Sequence, residues 1–255
     1  RKRKQCEKCT SILTSAKRSK NGHLLHAHNE DWVAADREWI YLIRAKPAGE
    51  PAFLAFTYGA WGIHYGVNSA GISLTADSQT GLDARLPGLA PEMVGREVLR
   101  SVSVKSAIQR VLSIPRVDGH TYVIGSKNGD GVMLETTATT HAILKPKSDE
   151  ILVHANCFEG KATSQMDPSA HTYSRFRCFR AEELLKDKKL VTEQDLYTVL
   201  SDHLNAPESL CHHLEPNSPR YEEATIAAMV FDPAAQTLSI VRGNPCQSRS
   251  ERFKL

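Results

Sequence analysis

The sequence predicts an α+β fold in which mostly antiparallel sheets pack on helices. Three observations carry that expectation. Short β-rich runs come in blocks separated by two pairs of helical segments, rather than in the strand-helix alternation of a doubly wound parallel sheet. Asn21-Gly22 lies between two apolar runs, the strongest short-range hairpin signal. The 255 residues contain no internal repeat, low-complexity block or linker, so a single domain is expected.

The elements follow in order. Strands are expected at Ser11–Ser15 and Leu24–His28, turned by Lys20-Asn21-Gly22. Further strands follow at Trp39–Ala45, Ala52–Thr57, Ile63–Val67 and Gly71–Ala76, with Gly59, Gly62 and Asn68-Ser69-Ala70-Gly71 as punctuation. Two helices come next. The first is Pro91–Val102 and the second Ser103–Ile114, whose Val104, Ala107, Ile108, Val111 and Leu112 recur at helical spacing. Strands return at Thr121–Ser126, Val132–Thr136, His141–Leu144 and Ile151–Asn156, with Asn128-Gly129-Asp130-Gly131 as a turn. Helices Ser174–Lys186 and Thr192–Asn205 follow, the latter opened by Thr192 as N-cap with acidic residues in its first turn. A last hairpin pairs Ala224–Phe231 with Thr237–Val241 around Asp232-Pro233.

Composition narrows the function. Hydrophobic residues make up 41% and charged residues 24%, ordinary for a globular chain with a buried core. The net charge of +3 comes partly from Arg1-Lys2-Arg3-Lys4, and no basic stripe with interleaved aromatics occurs elsewhere, which argues against nucleic acid as a partner. No run of about 18 apolar residues exists to span a membrane, and no signal peptide opens the chain. Six cysteines scattered over this length fit reduced thiols and a cytoplasmic location better than a disulfide framework. The terminal Phe253-Lys254-Leu255 has Phe where a peroxisomal address has a small residue, and reads as an ordinary tail.

The residues that point to chemistry begin with Cys9, in Lys8-Cys9-Thr10-Ser11. A cysteine freed at a chain terminus carries its own general base, because an α-amine with a reference pKa of roughly 7.7–8.0 is partly neutral near pH 7. About one hairpin later comes His26-Ala27-His28-Asn29-Glu30-Asp31-Trp32.

With Cys9-Thr10-Ser11 and Asn29-Glu30-Asp31-Trp32, the runs Val67-Asn68-Ser69-Ala70-Gly71, His154-Ala155-Asn156, Ser174-Arg175-Phe176, Ala224-Thr225-Ile226 and Gly243-Asn244-Pro245-Cys246 stand in one order along nearly the whole chain. In that combination the sequence resembles the acyl-coenzyme A:6-aminopenicillanic acid acyltransferase family. This is a family of N-terminal nucleophile hydrolases that includes isopenicillin N acyltransferase and self-cleaving linear amide hydrolases. The resemblance implies a four-layer αββα sandwich and autocatalytic cleavage of the Lys8–Cys9 bond. Residues 1–8 are then a tail ahead of the cut, 9–255 are the catalytic domain, and the released segment can remain as a partner in a heterodimer. Lys8 stands where many members have glycine.

The same resemblance implies the site. Cys9 is the nucleophile. Asp31 is a carboxylate near it that holds the α-amine, Asn156 is the oxyanion-hole amide, and Arg175 supports the charge of the thiolate. His28, where some relatives carry arginine, lines the pocket, and Thr75 and Asp77 border the substrate. The substrate is a small-molecule amide or an acyl-CoA thioester, and the cycle needs no cofactor or metal.

A competing class is a zinc-binding protein without enzymatic activity. Cys6-Glu7-Lys8-Cys9 is a C-x-x-C with His23, His26 and His28 at short range, and zinc accepts such ligands. Cys211-His212-His213 is a further group of ligand types, though side chains of adjacent residues diverge.

Overall fold

The computed structural model describes residues 9–60, 62–84, 87–147, 149–167 and 172–255. Thirteen strands among them form two antiparallel sheets, each built from runs that alternate between an inward and an outward face. The six-stranded sheet has the order β10-β1-β2-β11-β12-β13. Its members are β1 (Thr10–Thr14), β2 (Leu25–Val33), β10 (Ile151–His154), β11 (Glu223–Asp232), β12 (Thr237–Arg242) and β13 (Glu251–Lys254). The seven-stranded sheet runs β3 to β9 in sequence order: Ile40–Ala45, Phe53–Tyr58, Tyr65–Asn68, Ile72–Gln79, Gly119–Ser126, Gly131–Thr136 and His141–Leu144.

Helices α1 (Pro91–Val98) and α2 (Val104–Ser113) cover the seven-stranded sheet, packing Val94, Val98, Ala107 and Val111 into the core around Leu54, Phe56 and Leu74. Helices α3 (Thr172–Leu185) and α4 (Glu193–Leu200) cover the six-stranded sheet, with Cys178, Ala181, Leu196 and Leu200 against Ile12, Ala27, Ala228 and Val230. Contacts of β1 with β6 and β7, and of β12 with β5, close the two sheets on each other. The architecture is the αββα sandwich implied by the resemblance.

Local signals explain most boundaries. Proline at the first position starts α1. Ser103 with Ser106, and Thr192 with Asp195, each form a reciprocal capping box. The second helix of the last pair stops at Leu200 rather than Asn205, whose φ of 72° lies in the left-handed region. The first two strands pair as expected, Thr14 opposite Leu25, but the Asn21-Gly22 turn belongs to a longer loop that holds a short 3₁₀ turn at Ala16–Arg18. The tail expected after the last hairpin is instead strand β13, a charged edge whose Glu251, Arg252 and Lys254 suit a sheet margin exposed to water.

Between the sheets the fit is close. Gly125 and Gly131 are paired across β7 and β8, and a Cβ at either would meet Leu24 or Leu13 of the facing sheet, at 2.6 Å from Leu24 Cδ2 and 2.5 Å from Leu13 Cδ2. The two glycines form a depression that receives those leucines.

Candidate active site

Strand alternation sorts the candidate residues. In β1, Ile12 joins the core under α3 and α4, while Ser11 and Leu13 face the opposite sheet. In β2, Leu25 and Ala27 lie under the same helices, so His26, His28 and Glu30 face the inter-sheet layer. Cys9 precedes β1 by one residue and has the parity of Ser11. Its thiol is buried, 3.6 Å from Glu30 Oε2 and 3.9 Å from the Asp31 carbonyl oxygen.

Glu30 is the hub of this cluster. Tyr58 donates to Oε1 at 2.8 Å and Tyr65 to Oε2 at 2.6 Å, and His28 Nε2 lies 3.1 Å from Oε2. Burial pushes the carboxyl up, but the hydrogen bond and charge of His28, aided by His64 and the Tyr65 hydroxyl, hold it below its usual range. Burial, then the Glu30 charge, pushes both tyrosine hydroxyls well above their usual value, so they remain donors. The Cys9 thiol is likewise pushed well up, first by burial and then by the charges of Glu30, Asp77 and Asp31. This environment holds the thiol protonated.

A buried polar seam continues away from Cys9. Ser11 Oγ donates to Asp77 Oδ1 at 3.1 Å and lies 2.9 Å from His28 Nδ1 and 3.2 Å from Thr75 Oγ1. His154 bridges Asp77 and Glu135, with Nδ1 3.2 Å from Asp77 Oδ2 and Nε2 3.1 Å from Glu135 Oε1. Burial works against its charge, but the two carboxylates outweigh it and raise His154 to about 10. His26, in contrast, is lowered to about 3 by burial and by His28, and bonds the hydroxyls of Ser73 and Thr75.

The expected site residues fall into three groups. Asp31 lies on the other face of β2, its Oδ1 accepting from Thr225 Oγ1 at 2.5 Å, while its main chain borders the Cys9 sulfur. Asn156 donates to the Ser78 carbonyl at 3.0 Å and accepts from an Arg177 guanidinium N–H at 2.7 Å. Arg177 also donates to the Cys9 carbonyl at 3.3 Å and to Thr10 Oγ1 at 3.2 Å. The arginine joined to Cys9 and Asn156 is therefore Arg177, one of the least exposed side chains of α3, and Arg175, two residues earlier, lies on the exposed face of that helix. His28, Thr75 and Asp77 are fully buried in the seam behind Cys9 and are not among the residues that wall the neighbouring cavity.

That cavity, about 190 Å³, is walled by Glu30 and Trp32 of β2 and by residues of the opposite sheet and its helices, among them Tyr58, Tyr65, Tyr122 and Glu92. Glu30 thus touches both the Cys9 sulfur and the cavity. The sequence contained the signal for it: the period-two rule that puts His26 and His28 on one face extends to residue 30. Tyr58 and Tyr65 carried no comparable signal, since they meet the cluster only across the sheet interface, whereas His154 arrives on the neighbouring strand β10, paired opposite Ser11.

Two of the histidines of the competing metal reading, His23 and His26, are engaged elsewhere. His23 bonds Asp232, and His26 bonds Ser73 and Thr75; Cys6 and Lys8 lie outside the described residues. Cys9, His28 and Glu30 do bring three donor atoms within 4.8 Å of one another.

Facing antiparallel sheets between two helical layers are the fold of the N-terminal nucleophile hydrolases, and three solved structures share it. The N-acylethanolamine-hydrolysing acid amidase ortholog of Caenorhabditis elegans matches with a TM-score of 0.60 at 17% identity, over 97% of this chain and 100% of that one. A mutant conjugated bile acid hydrolase of Clostridium perfringens matches with a TM-score of 0.63 at 11% identity, over 97% of each chain. Penicillin V acylase of Agrobacterium tumefaciens matches with a TM-score of 0.57 at 14% identity, over 92% of this chain and 83% of that one. The sequence profile described as acyl-coenzyme A:6-aminopenicillanic acid acyl-transferase matches residues 17–247, and the chain belongs to that family. It is accordingly an amide hydrolase or acyltransferase of the N-terminal nucleophile type. None of the curated proteins compared with it matches.

Proposed function

We propose that the chain is a self-cleaving cysteine enzyme that hydrolyses or transfers the acyl group of a linear amide through an acyl-enzyme on Cys9. The observation that carries this reading is the position of the Cys9 thiol. It sits at the start of an inner strand, between the Glu30 carboxylate and the Asp31 carbonyl, beside the aromatic-walled cavity.

In the precursor, Glu30 accepts the thiol proton and the sulfur attacks the Lys8 carbonyl carbon. The Lys8–Cys9 C–N bond breaks as the amine takes a proton, and water then hydrolyses the thioester, releasing residues 1–8 from 9–255. In the mature enzyme the Cys9 α-amine takes the thiol proton and returns it to the departing amine of the substrate. Asn156, oriented by Arg177, and backbone N–H groups stabilise the oxyanion; loss of such a donor typically costs about 2.7–4 kcal/mol. Water or an acceptor amine resolves the acyl-enzyme. Arg177 takes the part the sequence reading gave to Arg175, and His28, Thr75 and Asp77 position the cluster rather than touch substrate. Three tyrosines along the wall suit an apolar or aromatic acyl group, and the Glu92 and Asp118 carboxylates disfavour an anionic one there.

Intact-mass and N-terminal analysis of a full-length precursor tests the reading. A new terminus at Cys9 that is absent in Cys9→Ala is the expected result. Processing or amidase activity that survives Cys9→Ala overturns it. The metal alternative rests on the Cys9, His28 and Glu30 donors. Against it, Glu30 Oε2 is already engaged by Tyr65 and His28. Zinc lost specifically in Cys9→Ser would favour that alternative.

A further inference from the structure

A second cluster lies away from the cavity, where the loop after α4 meets the turn after β12. Four side chains from three stretches of chain converge there: His203, Cys211, His213 and Cys246. One ligand-type atom from each lies within 4.8 Å of all the others. His203 Nε2 and His213 Nε2 are 3.1 Å apart, the Cys211 and Cys246 sulfurs 3.7 Å apart, and His213 Nε2 is 3.5 Å from the first sulfur and 3.2 Å from the second.

These separations have a chemical meaning. Zinc holds thiolate sulfur at about 2.3 Å and imidazole nitrogen at about 2.0–2.1 Å in a tetrahedron, which spaces neighbouring ligand atoms roughly 3.3–3.8 Å apart. A disulfide needs the sulfurs at about 2.05 Å. The separations of 3.5 and 3.7 Å fall on such edges and those of 3.1 and 3.2 Å lie just short of them, and the donor set is the two-cysteine, two-histidine set of structural zinc sites. We propose that His203, Cys211, His213 and Cys246 form a structural zinc site.

The surroundings fit a bound metal. The Asn244 amide lies 3.5 Å from Cys211 Sγ as a donor, the kind of outer hydrogen bond that steadies a metal-bound thiolate. The same amide donates to the His212 carbonyl at 2.7 Å, fixing the segment that carries both inner ligands. Cys211 is buried while Cys246 and His203 are exposed, which leaves a path for the ion to enter. In the sequence Cys211-His212-His213 reads as a possible ligand group whose adjacent side chains diverge. They do: His212 turns to the Pro207 carbonyl, whereas residues 211 and 213 share a face, and the other two ligands arrive through the fold.

The site is a clip. The His212 N–H donates to Thr225 Oγ1, and Thr225 donates to Asp31 Oδ1, so the metal-bound segment lies two hydrogen bonds from the strand beside Cys9. Its role is to hold that segment in place, and the bond-making step does not pass through it.

Metal analysis of the purified full-length chain is the test. About one zinc per chain is expected, lost in Cys246→Ser and in His203→Ala and retained in Cys9→Ala. That pattern separates this site from the Cys9 cluster and stands whether or not Cys9 is the nucleophile. Cobalt exchanged into the wild-type chain should give the intense visible absorption and thiolate charge-transfer band of a tetrahedral two-sulfur site, so the result does not depend on a variant folding. Chelation should lower the thermal midpoint, and added zinc should restore it. A chain that binds no zinc, a disulfide between Cys211 and Cys246 in freshly isolated protein, or zinc that persists in both cluster variants overturns the proposal.

Discussion

Glu30 and Arg177 set the environment of Cys9 from opposite sides, one through the sulfur and the other through the carbonyl. After burial, the Glu30 charge is the largest influence raising the thiol. Glu30→Gln should therefore make Cys9 more acidic, and in the uncut chain the pH midpoint of its alkylation by iodoacetamide should move down. An unchanged midpoint would remove Glu30 from the account. Arg177→Met takes charge-assisted bonds from the Cys9 carbonyl and from Asn156. With hydrogen bonds to charged groups worth about 1.5–3 kcal/mol, the proposed self-cleavage should slow by roughly tenfold or more. Arg175→Met, on the exposed face of the same helix, should leave the rate nearly unchanged. Comparable rates in the two variants would mean that burial of Arg177 has no bearing on Cys9. At this scale the chain was only partly legible. The arginine of the motif Ser174-Arg175-Phe176 lies two residues from the buried Arg177, but helical phase decides which arginine faces inward, and α3 has polar residues on too many sides to show its phase.

Elements were legible wherever a local signal marked them. Thr192 is an N-cap in the sequence and in the structure, and its capping box predicts that Thr192→Ala costs about 1 kcal/mol, read as a lower urea midpoint. Ser103 caps α2 in the same way, with serine in place of the usual acidic third residue. Strand β13 escaped because its alternating charges resemble a solvated tail and its partner, β12, is what makes it a strand. The glycine depression formed by β7 and β8 is a property of two elements together. Gly131→Val should press on Leu13 and Leu24 and cost about 1–3 kcal/mol as overpacking. Wild-type stability in that variant would show that the two sheets can separate locally at little cost.

Across the whole molecule, the antiparallel layering followed from the block order of strands and helices, but the polar seam between the sheets did not. Its members come from β1, β2, β6, β8 and β10, and no local pattern announces that Asp77, Glu135 and His154 will be neighbours. The seam predicts a pH response. His154 titrates near 6.5 when unfolded and at about 10 when folded, so its contribution to stability is complete below pH 6.5 and is lost as pH rises towards 10. The shift corresponds to a few kcal/mol, visible as a urea midpoint that falls across that window. In His154→Gln the fall should flatten while overall stability drops by about 3–5 kcal/mol, because Asp77 and Glu135 lose their cation. A variant with the same alkaline slope as wild type would assign the response elsewhere. The cavity shows a further division across the molecule: Cys9 and Glu30 come from the six-stranded sheet, and most of the wall comes from the other. If the proposed roles hold, substrate preference can drift through exchanges in one sheet while the proposed acyl-transfer apparatus is inherited unchanged in the other.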